Sequence, residues 1–456
     1  MRQRLPRRAA KRTAEPRATA PKLEGLGLAL PAVGLLFAGQ ILYGAMFPKT
    51  ALTLAIGGGL ILAACLLHSG LRADLTRLRG LEWPGALFVL TLLVALWSLT
   101  PYVPGGPSPV WAYVGEAHGA ATVDKSATLL EIIKLMGLGC FFLVGAVTAA
   151  SDARARTAVQ IIIGLGAAFS LWMFFAHVTG DVAGGGQRSI SGGYRLEARF
   201  LAANTAGTFF AMLSVLALAP IASELRSTKR RDRFFRLALY GSAGLIFLVC
   251  LLMTGSRGGF LAACTGFVAF ALLQVFAGDL RLTRATLAIG SGVILLGVVL
   301  ALTGDLLITR LMEGGLQDAA RTNITAVHLQ AFEAAPWMGY GLGSFEPVNR
   351  SLMDALNFKD LWSIRAVHSV YLGWLEEAGI LGALPMFACI GLLVVSAVGR
   401  ASHRTRMLNH VFALIAVSVV VLVHGLSDFA LQTYAVAAFW SYFLGLAFRL
   451  SQGSRS

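Results

Sequence analysis

Apolar residues in this chain run in long unbroken blocks separated by short polar stretches. Runs of about 18–25 such residues are long enough for a helix to cross a bilayer. They fall at roughly 25–46, 50–67, 82–100, 127–149, 157–178, 201–222, 237–254, 258–277, 285–303, 369–397, 409–425 and 434–450. The pattern predicts an all-α polytopic membrane protein with twelve transmembrane helices. The loops holding LRADLTRLRG, SDARAR, ELRSTKRRDRFFR, GDLRLTR and GRASHRTR are short and basic. The positive-inside rule puts them on the cytoplasmic side. Both termini then face the cytoplasm, as an even number of spans requires. One long segment, 304–368, is left on the opposite face between the ninth and tenth spans.

Composition agrees, with 56% hydrophobic and 13% charged residues, against about 25% charged in a soluble domain. The net charge of +15 would suit a nucleic-acid partner, but its placement argues otherwise. Eight Lys/Arg lie in the first 24 residues, a basic cytoplasmic tail suited to anionic membrane lipids. No clear signal-peptide cleavage site follows it. Residues 25–450 then form one transmembrane domain and 451–456 a second short tail. Cys65, Cys140, Cys250, Cys264 and Cys389 all sit in apolar runs and lack metal-ligand spacing, so they read as small hydrophobes. No internal repeat is evident, which weighs against a transporter built from repeated halves.

The outer face is unusually rich in arginine: Arg188, Arg195, Arg199, Arg257, Arg310, Arg321, Arg350 and Arg365. Part of this is ordinary solvated charge. The alternative is an anion site, because the guanidinium fork matches phosphate geometry. Arg257 is the strongest case. It follows Ser256 in the turn TGSRGG between two apolar spans, where glycines and a helix N-terminus leave N–H groups available.

His368 stands where the long outer segment re-enters the membrane. A histidine there is more often structural, but arginines nearby would hold it neutral, the form that acts as a general base. Glu376 and Glu377, about two turns further on, would orient His368 or an arginine. Glu131 and Lys134 are three apart and expected to satisfy each other. Asn204 is a candidate helix cap. His424 and Asp428, at the outer end of the eleventh span, either line the same cavity or close a turn. The chain has neither a phosphate-binding GxxxxGK[ST] motif nor a His/Cys cluster with metal spacing, so arginine and not a divalent metal is the expected anion partner.

These residues together resemble the O-antigen ligase and O-antigen polymerase superfamily of bacterial envelope enzymes. The resemblance rests on YRLEARFLAANTAG, LLMTGSRGGFLA, RTNITAVHLQAFEAAPWMGYGLGSF, HSVYLGWLEEAGILG and HGLSDFALQTYAVAAFWSYFLGL, in that order, over about residues 190–447. It implies a multi-helix enzyme of the bacterial inner membrane. Such an enzyme takes a glycan from undecaprenyl diphosphate and passes it to an acceptor hydroxyl at the periplasmic face, without a cofactor. Carried onto this chain, it implies that Arg195 or Arg199, with Arg257 and Arg321, holds the diphosphate. His368 would be the base, with Ser256, Asn204, Glu377, Arg365, His424 and Asp428 in support. Arg199 is an additional basic residue after the small Ala198, so the resemblance leaves the choice between Arg195 and Arg199 open.

The leading expectation is a ligase acting on lipid A–core, ahead of a polymerase of O-antigen or exopolysaccharide that extends a growing glycan. A protein glycan ligase is expected to carry an additional soluble C-terminal domain. A lipid-linked glycan flippase would instead place polar residues along a path through the membrane, whereas here they gather at the outer ends.

Overall fold

The computed structural model describes residues 21–113, 115, 119–180, 195–226, 232–277, 315–401, 404 and 406–453. The expected span at 285–303, most of the basic tail, Arg188 and Arg310 lie outside the described residues. The principal helices are α1 (Pro21–Ile41), α2 (Pro48–Leu67), α3 (Ser69–Thr76), α4 (Glu82–Trp97), α5 (Lys125–Thr148), α6 (Asp152–Thr179) and α7 (Ala203–Arg226). They continue with α8 (Arg233–Met253), α9 (Arg257–Phe276), α10 (Gly315–Ala334), α11 (Phe345–Ser351), α12 (Val370–Ala401), α13 (Leu408–His424) and α14 (Tyr434–Ser451). No strand occurs among the described residues. Among the described residues seven helices, α2, α5 to α9 and α12, are long and apolar enough to cross a membrane, and the shorter α4, α13 and the Leu26–Ile41 part of α1 are also apolar. The chain is a polytopic helical membrane protein.

Burial separates an inner layer from an outer one. α7, α13 and α14 are buried on nearly every side, as expected for helices that are apolar all round. α8 instead buries one stripe, Tyr240, Ala243, Phe247, Cys250 and Leu251, at helical spacing. Its other face carries exposed residues such as Phe235, Leu239 and Leu245, which suit lipid. α5 and α14 approach through Gly145 and Gly445, where a Cβ would overlap the carbonyls of Tyr442 and Phe142 respectively. Small residues allow this close backbone contact, the main source of packing energy between helices in lipid. Hydrogen bonds from Tyr434 Oη to Lys134 O (3.0 Å) and Ser441 Oγ to Leu138 O (2.7 Å) reinforce it. All five cysteines are free and at least half-buried, as fillers.

The two ends of the bundle differ. At one end the short basic connections meet, and Arg404 Nη2 pairs with Asp152 Oδ1 at 2.5 Å while Arg154 pairs with Asp74. At the other end lie the α8–α9 turn, the start of α7, the α13–α14 turn and the segment 315–369.

The span expected at 369–397 is not one continuous helix. Gly379 breaks α12 with φ 59° and ψ −175°, a region essentially restricted to glycine. The loop PWMGYGLG heals the break. Tyr340 N donates to Glu376 O (3.0 Å) and Gly341 N to Glu377 O (2.8 Å), while Ile380 N and Leu381 N donate to Pro336 O and Trp337 O at 2.8 and 3.1 Å. Each backbone group released by the break thus finds a partner in the loop, which is what an interrupted helix at membrane depth needs.

Candidate active site

The site begins with the α8–α9 turn. α8 ends at Met253, Gly255 takes a left-handed φ of 57°, and Ser256 caps α9 by accepting from Gly259 N at 3.1 Å. That cap fixes Arg257 as the first residue of α9. Gly207 of α7 lies so close that a Cβ there would sit 2.9 Å from the Ser256 Cβ. The segment before α7 is stitched to the same turn. Leu196 N donates to Met253 O at 2.9 Å, and Arg195 Nε to Thr254 O at 2.7 Å. Arg195 Nη2 then reaches Asn204 Oδ1 at 2.8 Å.

These elements enclose a cavity of about 60 Å³ lined by Arg195, Asn204, Gly255, Ser256, Arg257, Gly258, Arg321, His424 and Ser427. Three guanidinium groups from three separate segments therefore face one space, and none of its lining residues among the described ones is a carboxylate. One water-sized centre takes roughly 15 Å³, so the space is of the size of a small anion such as phosphate or diphosphate. His424 enters from α13. Its Nδ1 lies 2.6 Å from Thr208 Oγ1, and its Nε2 faces Gly258 at the cavity wall.

His368 stands beside the cavity and not in its wall. Its ring centroid lies 5.3 Å from that of Phe429. Burial first, and then the nearby Arg321 charge, lower its pKa from 6.5 to about 4. The imidazole is neutral at neutral pH, as a base must be. Asp428 is fully buried in the α13–α14 turn, and burial raises its carboxyl to about 6 against the pull of backbone N–H groups and Arg321. Arg321 is thus the charged neighbour common to His368 and Asp428.

The structure separates Arg195 from Arg199. Arg199 Nε donates to Ile41 O at 2.8 Å, and its guanidinium lies 4.5 Å from the Tyr43 ring centroid and 5.9 Å from that of Trp172. It joins α1 to α6 and does not line the cavity. Ala198, Arg199 and Leu201 all have positive φ, 45°, 65° and 58°, a kink that turns neighbouring side chains to different sides.

Other expectations are corrected. Asn204 is the second residue of α7 and binds the Arg195 guanidinium, so it is not the helix cap. Glu377 does not orient His368. Its two oxygens accept from Gly343 N (2.9 Å) and Phe345 N (3.2 Å) and so cap the loop that heals the helix break. Glu376 pairs instead with His328, Nδ1 to Oε1 at 2.8 Å. Arg365 is exposed and does not line the cavity. Lys134 and Glu131 do pair, at 2.5 Å. His328 was missed because a lone histidine in the middle of an amphipathic stretch carries no motif. The sequence signal that could have found it is its spacing of seven from Arg321, which puts both on one helix face.

A family model described as O-antigen ligase matches residues 242–387, which include Arg257, Arg321 and His368 but not Arg195 or His424. No curated protein matches the chain.

Proposed function

We propose that this chain, whose residues 242–387 match the family model described as O-antigen ligase, is a membrane glycosyltransferase of that superfamily. It moves a glycan from undecaprenyl diphosphate to a hydroxyl of lipid A–core. The short basic loops and the opposite, arginine-lined end support an inner-membrane protein with twelve spans and the cavity on the periplasmic face. One observation carries the enzymatic reading: Arg195, Arg257 and Arg321 converge on a phosphoryl-sized cavity beside a histidine held neutral.

In the transfer step the acceptor oxygen attacks the anomeric carbon of the donor glycan. The bond from that carbon to the diphosphate oxygen breaks, and the lipid diphosphate leaves with the electron pair. Negative charge grows on the leaving oxygen, where prearranged cations are worth most. The three arginines provide that charge in place of a divalent metal. His368 Nε2 takes the hydroxyl proton as the new bond forms. Asn204 holds Arg195, and Ser256 holds the start of α9 that carries Arg257.

The test is the envelope glycan profile of a strain lacking this protein, with lipid-linked intermediates extracted alongside. Full-length polymer stranded on its lipid carrier, with bare lipid A–core, is the expected result. Single repeat units on carrier or core would instead identify a polymerase. With redundant enzymes removed, unchanged pools would overturn the reading.

A further inference from the structure

A fully buried histidine lies outside the cavity and takes no part in the chemistry above. His328 sits on α10, two turns after Arg321 and on the same face. It has no exposed surface, and neither has Glu376. His328 Nδ1 lies 2.8 Å from Glu376 Oε1, and Nε2 lies 3.2 Å from Asn349 Oδ1. The Asn349 amide is held the right way round, because its Nδ2 donates to Leu361 O at 2.9 Å. An amide oxygen only accepts, so His328 Nε2 carries a proton. The ring also stacks on Phe345, centroids 4.9 Å apart and planes 24° apart. Three pieces of chain therefore meet at one imidazole, α10, α11 and α12, and Asn349 ties the stretch around Leu361 to them.

The contacts also set a register. His328 meets Glu376 at an offset of 48 positions, Ile380 N and Leu381 N meet Pro336 O and Trp337 O further along, and the Arg321 charge is felt at His368, an offset of 47. α10 and the first turns of α12 thus run side by side in the same direction, and whatever fixes the deeper pair fixes the outer one. We propose that His328, Glu376 and Asn349 form a buried clamp that locks α10 in register on α12 and so positions Arg321 against His368. The clamp consists of positioning residues that do not touch substrate. Its consequence for transfer rests on the reading that Arg321 holds the diphosphate.

A clamp needs hydrogen-bond geometry and not charge. A glutamine at 376 can donate its amide to Nδ1 while His328 Nε2 still donates to Asn349, so Glu376→Gln keeps both bonds. Glu376→Leu removes one, and Asn349→Leu the other. Glu376→Leu is expected to slow transfer about 10- to 100-fold, the usual cost of a small misplacement near reacting groups. Glu376→Gln is expected to stay within about threefold, since no buried donor or acceptor loses its partner. Arg321→Ala combined with Glu376→Leu is expected to be no slower than Arg321→Ala alone, because the clamp acts through Arg321.

A readout independent of transfer accompanies these. Spin labels at the exposed Leu329 of α10 and Leu384 of α12 give the distance between the two helices in the purified full-length protein. Glu376→Leu should broaden that distance distribution and Glu376→Gln should leave it sharp. If Glu376→Leu fails to accumulate in membranes, Asn349→Leu breaks the other bond and serves the same comparison. Loss of transfer in Glu376→Gln would overturn the clamp in favour of proton transfer by Glu376. Multiplying losses in the Arg321→Ala double variant, or an unchanged distance distribution when either bond is cut, would overturn it as well. A wild-type protein without glycan transfer would sink the function proposed above but leave the distance test standing.

Discussion

Arg195 reaches across the mouth of α7 to Asn204, Nη2 to Oδ1 at 2.8 Å, while its Nε is held by Thr254 O at 2.7 Å. Two acceptors on two sides fix the plane of the guanidinium and aim it into the cavity. Arg199, four residues on, is spent on Ile41 O and the rings of Tyr43 and Trp172. The two arginines should therefore behave differently. Arg195→Ala is expected to lower transfer by about 10²–10³, the usual loss of one preorganised donor. Arg195→Lys should fare little better, because a point charge cannot meet Thr254, Asn204 and an anion at once. Arg199→Ala should change transfer by no more than about threefold. Transfer in membrane vesicles, normalised to the amount of inserted protein, separates the two cases. Equal losses at both positions would remove the assignment to Arg195.

His368 gives a pH signature. Its pKa falls from 6.5 to about 4 through burial and then Arg321. Transfer should hold steady from neutral pH downwards and fall through a midpoint near 4. Arg321→Gln removes the second cause and should move the midpoint of the residual activity upward. His368→Ala should fold and lose transfer by about 10²–10⁴, the usual contribution of a general base.

Stability carries the same group with its own sign. Between about 4 and 6.5 the unfolded chain binds more protons at His368 than the folded one, so this histidine costs stability as pH falls through that window. Asp428 works in the opposite direction. Its folded pKa of about 6 exceeds the ordinary 3.8, so the folded form binds more protons and gains relative stability as pH falls from about 6 to 4. Melting curves of wild type, His368→Ala and Asp428→Asn from pH 7 to 4 test both signs. Relative to wild type, His368→Ala should gain on acidification and Asp428→Asn should lose.

The helices and the end of the bundle that holds the site were legible in the sequence because lipid demands long apolar runs and charges gather at their ends. Arg257 and His424 stand at such ends, Arg321 was singled out only by the family resemblance, and all three line one cavity. The choice between Arg195 and Arg199 was not legible. It depends on positive φ at Ala198, Arg199 and Leu201, and none of these is a glycine or asparagine that would announce it. The roles of Glu376 and Glu377 were hidden for a different reason. Both were read along their own helix, whereas their partners His328, Gly343 and Phe345 lie more than thirty positions earlier in the chain.

The break at Gly379 should be intolerant of any side chain. A Cβ there would overlap the Trp337 carbonyl and lie 2.6 Å from Met338 N, in a backbone region that side chains avoid. Strain of this kind costs about 1–3 kcal/mol before the clash is counted. Gly379→Ala is expected to lower the melting temperature of the purified protein and its level in membranes. Normal levels and melting would mean that α12 can run straight and that the loop 336–341 is not needed to heal it.

Gly258 separates the site from the scaffold. It lies in the first turn of α9, where alanine in place of glycine favours the helix by about 1 kcal/mol. Yet a Cβ at 258 would fall 2.7 Å from His424 Nε2 and 3.3 Å from Ser427 Oγ. The imidazole has little freedom to retreat, since Thr208 holds Nδ1 at 2.6 Å. The added methyl would therefore take space from the cavity between Arg257 and His424. Gly258→Ala is expected to insert, to melt no more than a few degrees below wild type because the helix gain offsets part of the crowding at His424, to lose transfer by at least about tenfold, and to lose the stabilisation that inorganic pyrophosphate gives the wild-type protein through binding. Thr208→Val in the same background frees the ring to move and should restore part of both. If Gly258→Ala transfers and binds pyrophosphate normally, the anion does not sit between Arg257 and His424, and the cavity would have to be abandoned as the diphosphate site.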